Sequence, residues 1–200
     1  MDRLKMLSRT LLYKGHRVKV YEDVLEKPDG EKVYYDYVEN RNGSGVLLVD
    51  EDGKLIFVRQ YRTVIDDMDI EIPAGCIESG DDIVSGQDAE GSTFARIESD
   101  DMFRKCALRE AEEETGLIPG KLFLVNKMVA AVGLFSERTA IYIGTELTKG
   151  SINRDSDEYI DIIKLTLEEA VDYVYQGKIV DSKTIIAIFA YKDLKNCEIL

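Results

Sequence analysis

Arg109-Glu110-Ala111-Glu112-Glu113-Glu114-Thr115-Gly116-Leu117 is the stretch that decides the fold, because local physics disfavours it. The residues before it, from about Asp101, read as a helix in which Phe103, Cys106, Ala107 and Ala111 share one apolar side. Gly116 is a natural end for that helix, since glycine takes positive φ without steric cost. The last turn is therefore acidic where the helix dipole is already negative. Glu110 faces both Glu113 and Glu114, each such like-charge pair costing roughly 0.2–0.5 kcal/mol. Helix stability alone would place Lys or Arg there. A divalent cation removes the conflict, and carboxylates gathered on one helical face suit Mg²⁺ or Mn²⁺, which also bind substrate phosphates.

Composition narrows the remaining choices. Two hundred residues, 44% of them hydrophobic, suffice for one ordinary domain with a small appended subdomain. No apolar run approaches the roughly 18–20 residues that span a bilayer, and the N-terminal basic residues precede no long apolar core. The chain therefore reads as cytoplasmic, unprocessed and without a membrane partner. Cys76, Cys106 and Cys197 are odd in number and lack C-x-x-C spacing, so they read as reduced thiols. The single histidine, His16, leaves no material for a His-rich metal cluster or a Ser-His-Asp triad. A net charge of −13 argues against a nucleic-acid partner, although an acidic protein can still hold a phosphorylated small molecule through metal ions.

Outward from the helix, alternation predicts strands around Val18–Glu22 and Val33–Val38, separated by the turn signal Pro28-Asp29-Gly30. This tyrosine-rich region over 1–43, with a hinge at 39–44, is too small for a core of its own. Residues 45–50 and 54–62 read as a hairpin closed by Glu51-Asp52-Gly53. After the acidic helix come two strands about a turn at 133–136, a polar loop over 150–158, and the strand YIDIIKL. Two helices close the chain: one opened by a Thr166/Glu169 capping box and ended by Gly177, the other starting at Ser182.

The string REAEEETGL resembles the second half of the Nudix box, R-E-U-x-E-E-x-G-U with U apolar, and Arg109, Glu110, Ala111, Glu113, Glu114, Gly116 and Leu117 meet every fixed position. The run VRQYR followed by E-I-P-A-G is similar to the ADP-ribose pyrophosphatase branch in particular, as is GKIVDSKTIIAI near the end. The first half of the box departs from pattern. The family places a glutamate after Gly75 and five further residues, then the arginine after seven more. Here Asp81 stands at the first place and Asp101 at the distance counted back from Arg109. Excising about twenty residues, 81–100 or 82–101, restores the spacing with aspartate for glutamate. The inserted 81–100 carries six acids against one arginine, and an insertion of that length adds little closure entropy.

The resemblance implies an α/β (α+β) fold: a Nudix α/β/α sandwich with a mixed sheet over 44–200, and a small N-terminal β subdomain whose strands swap across a homodimer. It implies metal-dependent hydrolysis of ADP-ribose or a related nucleoside diphosphate sugar to a nucleoside monophosphate and a sugar phosphate. Alternatives are another diphosphate substrate (a dinucleotide, a flavin or a different sugar nucleotide), or an ADP-ribose sensor that does not turn over. Glu110, Glu113, Glu114 and the Ala74 carbonyl become expected metal ligands, and Arg109 the residue that holds Glu113. Asp101 would orient charge from the helix start. Glu158, in the loop before the last long strand, becomes a metal ligand or base. Arg59 and Arg62 are candidate diphosphate contacts. Strand alternation puts them on opposite faces, and the family pattern favours Arg62. Glu137 matches a glutamate that contacts substrate, although Val132 stands where the family has proline.

Overall fold

The computed structural model describes residues 3–78, 100–153 and 159–197. The expected insertion, apart from Asp100, and Glu158 both lie outside the described residues. Two compact units divide the chain, one made of Met1–Asn42 with Met128–Arg138, the other of Gly43–Lys127 with Thr139–Leu200.

In the first unit, β1 (Lys5–Lys14), β2 (Lys19–Glu26) and β3 (Lys32–Glu39) form an antiparallel sheet in that order. The Pro28-Asp29-Gly30 turn forms as its residues dictate: Gly30 sits at φ +88°, and the Lys27 N–H reaches the Glu31 carbonyl at 2.9 Å. Asp23 is only 6% exposed, which is tolerable because the Arg9 guanidinium forks onto it with two contacts of 2.6 Å. That guanidinium also lies 3.5 Å from the Tyr37 ring centroid. A distant segment completes the unit. The Val38 N–H donates to the Leu134 carbonyl at 2.9 Å, and the Ser136 N–H to the Val38 carbonyl at 3.0 Å.

The second unit is built on β4 (Gly43–Val49), which is buried along its whole length. A strand covered on both sides must lie inside a layered structure. It pairs in parallel with β9 (Arg138–Lys149), and antiparallel with β5 (Leu55–Arg62) and with β7 (Ala74–Cys76). The sheet order is β10-β5-β4-β9-β8, where β8 is Leu117–Val129 and β10 is Asp161–Leu165, and β6 (Asp67–Glu71) pairs β5. Pro119 falls in β8, an outermost strand of that order, where a missing N–H costs least. The β4–β5 hairpin closes with Gly53 at φ +74° and the Asp50 N–H on the Lys54 carbonyl at 3.0 Å.

Helix α1 (Asp100–Thr115) covers one face, packing Phe103, Cys106, Ala107 and Ala111 against Val46, Leu48, Ile56, Ala140 and Tyr142. On the other side of β4, α3 (Ser182–Asn196) packs against the strand, with α2 (Leu167–Tyr175) against α3. The mixed sheet between helices is the expected architecture. Both halves of the α2 capping box form, and α3 begins at Ser182 as expected, with Asp181 as its cap. Among the described residues no helix is long and apolar enough to cross a membrane.

Candidate active site

Residues 103, 106, 107, 110, 111 and 114 follow the spacing of one helical stripe, so the side of α1 that begins as core ends as carboxylate. Glu110 is 8% exposed and Glu114 3%, which no solvated helix face would show. Burying such groups is costly unless they are paired or coordinated. Glu114 accepts the Ala74 N–H at 3.3 Å. Glu110 sits in a notch that only glycine leaves open: a Cβ added to Gly75 would lie 1.9 Å from its Oε1. Gly75 and α1 thus meet at a carboxylate, which explains the glycine without any appeal to turn geometry.

Arg109 organises the acids. Its Nη1 donates to Glu113 at 2.7 Å, and its Nη2 to the Cys76 carbonyl at 3.0 Å. The same Nη2 lies 2.7 Å from Glu110, and Nη1 lies 3.9 Å from Glu78. Burial works against the Arg109 charge, but the attraction of Glu110 and the hydrogen bond to Glu113 outweigh it and raise the pKa. Beside it, burial and the Glu110 charge push the Cys106 thiol up to about 12. Cys106 therefore stays protonated and donates to the Gly75 carbonyl at 3.4 Å.

The end of α1 is closed by the loop that follows β9. Gly116 adopts φ +70° and donates to the Glu112 carbonyl at 2.7 Å. The Gly150 N–H binds the Gly116 carbonyl at 2.9 Å, and the Asn153 N–H binds the Glu113 carbonyl at 3.1 Å. Glu112, the acid outside the motif, accepts the Ser151 N–H at 3.1 Å. No basic side chain occupies this last turn, so backbone donors from the loop satisfy the orphaned carbonyls instead.

The other expected site residues divide. Asp101 does not join the acids: its side chain is 67% exposed and pairs with Lys105 at 3.2 Å. Eight residues of helix, about 12 Å of rise, separate it from Arg109, and Glu78 takes the place nearer that guanidinium. Arg59 is on the surface, bound to Asp161 on the paired strand at 2.6 Å. Glu137 belongs to the first unit, where it accepts a hydrogen bond from Asn40. Arg62 is forked onto Glu71, through Nε to Oε1 and through Nη2 to Oε2 at 2.8 Å. Glu71 also accepts from Lys183 at 2.7 Å, and Lys183 reaches Asp181 at 2.9 Å. Burial alone would raise the Glu71 pKa, but the Arg62 hydrogen bond and the Lys183 charge bring it down to about 2. Glu71 and Lys183 escaped the sequence reading. The alternation of acids through Asp67, Asp69 and Glu71 in an otherwise apolar run was the available signal for Glu71.

Among the described residues, no three His, Cys, Asp or Glu side chains converge as a metal-holding group. Glu110 and Glu113 are drawn onto Arg109. The donor set of Glu110 and Glu114 nevertheless fits a hard cation: two buried carboxylates at the negative end of a helix, beside the Ala74–Gly75 backbone.

No family model matches the chain. It is 30% identical over 186 residues to the methanol dehydrogenase activator of Bacillus methanolicus, covering 92% of this chain and 90% of that one. It is 28% identical over 193 residues to the ADP-ribose pyrophosphatase of Bacillus subtilis strain 168, covering 96% and 93%. The chain belongs to the Nudix hydrolase family. The Nudix fold itself is matched by the crystal structure of an ADP compounds hydrolase, with a TM-score of 0.79 over 100% of this chain and 98% of that one, at 20% identity. As a Nudix hydrolase, the protein carries its box across the β7–α1 junction, with Gly75 on the strand and Arg109 to Gly116 closing the helix.

Proposed function

We propose that this Nudix hydrolase splits the diphosphate of ADP-ribose, or of a related nucleoside diphosphate sugar, into a nucleoside monophosphate and a sugar phosphate. The observation that carries the reading is the burial of Glu110 and Glu114 on the core-facing stripe of α1, beside the Gly75 notch and the Ala74 N–H. The likeness to an ADP-ribose pyrophosphatase selects the substrate class. In this reading Glu110, Glu113, Glu114 and the Ala74 carbonyl hold a divalent cation, Mg²⁺ or Mn²⁺. The bound cation supplies Lewis acidity at the phosphate oxygens. Arg109, paired with both Glu110 and Glu113, would hold the two carboxylates side by side and offset their like charge. Water oxygen forms a new bond to one phosphorus and gives its proton to a carboxylate base, while the bridging P–O bond breaks and the leaving phosphate keeps the bridging oxygen.

Glu158 serves as ligand or base. Arg62 contacts a phosphate. The protein works in the cytoplasm as a homodimer through its N-terminal strands, and binds neither nucleic acid nor membrane. The test is monophosphate release over a panel of nucleoside diphosphate sugars, dinucleotides and flavin dinucleotide, with and without Mg²⁺, alongside sedimentation of the free protein. Metal-dependent release from ADP-ribose is the expected result. Tight ADP-ribose binding without any monophosphate would replace the enzyme with a sensor.

A further inference from the structure

Resting on that function, we propose that Lys183, at the start of α3, is a positioning residue for the substrate diphosphate: it fixes the Glu71 carboxylate, which in turn aims the Arg62 guanidinium. The chain of contacts begins at a helix cap. Asp181 accepts the Thr184 N–H at 2.9 Å through Oδ2, and its Oδ1 lies 2.9 Å from the Lys183 ammonium. Lys183 Nζ donates to Glu71 Oε2 at 2.7 Å, the same oxygen that takes Arg62 Nη2 at 2.8 Å. Each link constrains the next.

Exposure falls and rises along this chain in an informative way. The Glu71 side chain is 3% exposed and that of Lys183 19%, yet that of Arg62 is 41% exposed. The fork to Glu71 uses Nε and Nη2, so Nη1 lies on the far edge of the guanidinium plane. A guanidinium fixed on one edge by a buried carboxylate and exposed on the other is placed to receive an incoming phosphate, whose oxygens it matches with parallel donors. The position agrees. Glu71 stands three residues before Ala74, whose N–H holds Glu114, and the Glu114 charge contributes to raising the Arg62 pKa. α3 reinforces the same segment from behind, where the Thr184 hydroxyl accepts the Ile72 N–H at 2.9 Å.

Without Lys183, one oxygen of a buried carboxylate loses a charged partner, and the fork can rotate about the Glu71 side chain. Arg62 would remain but no longer be aimed. The experiment is a double-mutant cycle on the full chain, with ADP-ribose hydrolysis in Mg²⁺ as the assay and thermal midpoints measured in parallel. Lys183→Met and Arg62→Ala should each raise KM about tenfold, the loss of one charge-assisted hydrogen bond, with kcat changed less than about threefold. The double variant should be no worse than Arg62→Ala alone, because the two residues act through one contact. Lys183→Arg should restore the parental KM. An unchanged KM in Lys183→Met, or an effect that multiplies with that of Arg62→Ala, overturns the proposal. Should Lys183→Met fail to fold, Glu71→Gln enters the same cycle with the same criteria. A parent protein that releases no monophosphate refutes the hydrolase function, and the positioning role falls with it. A parent that turns over alongside indifferent Lys183 variants refutes the positioning role only.

Discussion

Replacing Gly75 with alanine probes the site through a single methyl group. The added Cβ would lie 1.9 Å from Oε1, 2.3 Å from Cδ and 2.6 Å from Oε2 of Glu110. Contacts under 3.0 Å do not persist, so the carboxylate must retreat by about 1 Å. The end of a glutamate can do that by changing rotamer, which limits the cost in stability to roughly 1–3 kcal/mol of overpacking. Function has no such escape. Glu110 would leave both the Arg109 contact at 2.7 Å and its place beside Glu114. A misplacement of that size near the reacting groups costs on the order of 100-fold in rate, about 2.7 kcal/mol of transition-state stabilisation. The expectation is therefore a folded protein with a thermal midpoint lowered by a few degrees and kcat/KM for ADP-ribose down about two orders of magnitude. Gly133→Ala is the control, since nothing lies within 4 Å of its added Cβ. Full activity in Gly75→Ala would show that Glu110 does not need the notch, and the account of the site would fail.

Other outcomes follow from the same contacts. Because the folded pKa of Glu71 is depressed from 4.5 to about 2, its stabilising contribution is present above pH about 4.5 and lost as pH falls through about 2. Glu71→Gln should therefore flatten the acid limb of a plot of thermal midpoint against pH, and an unchanged limb would remove Glu71 from the titrating network. Thr166→Ala deletes the hydroxyl that accepts the Glu169 N–H, one half of the α2 capping box, and should cost about 1 kcal/mol, read as a midpoint lowered by roughly 2–4 °C. Glu158→Gln should cut turnover at least about tenfold with the fold intact, and full activity in that variant takes the residue out of the mechanism. Deleting 81–100 should leave a folded protein by circular dichroism, because closing the shorter loop changes little entropy; loss of the cooperative transition would contradict this.

What could be read from the chain was what local chemistry enforces. Gly53 and Gly116 were legible because each takes the left-handed conformation its turn or helix end requires. The capping box of α2 was legible because both partners lie within four residues. Arg109 holding Glu113 was legible from helical spacing, with the contact at 2.7 Å. Asp101 shows where counting misleads: restoring a family interval places a residue in an alignment, but the helix puts its side chain beside Lys105. Long-range partners were out of reach. Nothing near Lys183 announces Glu71, which lies 112 residues away. The parallel register of Gly43 with Thr139 leaves no local signature either.

The pairing of Val38 with Leu134 and Ser136 has a practical corollary for anyone wielding restriction sites. Scissors applied at residue 42 would look like a clean excision of the leading strands. They would in fact strip away the neighbour that occupies the Leu134 carbonyl and the Ser136 amide. The remnant would present a raw, sticky selvedge between Met128 and Arg138, suited to self-association rather than to minimal-enzyme studies.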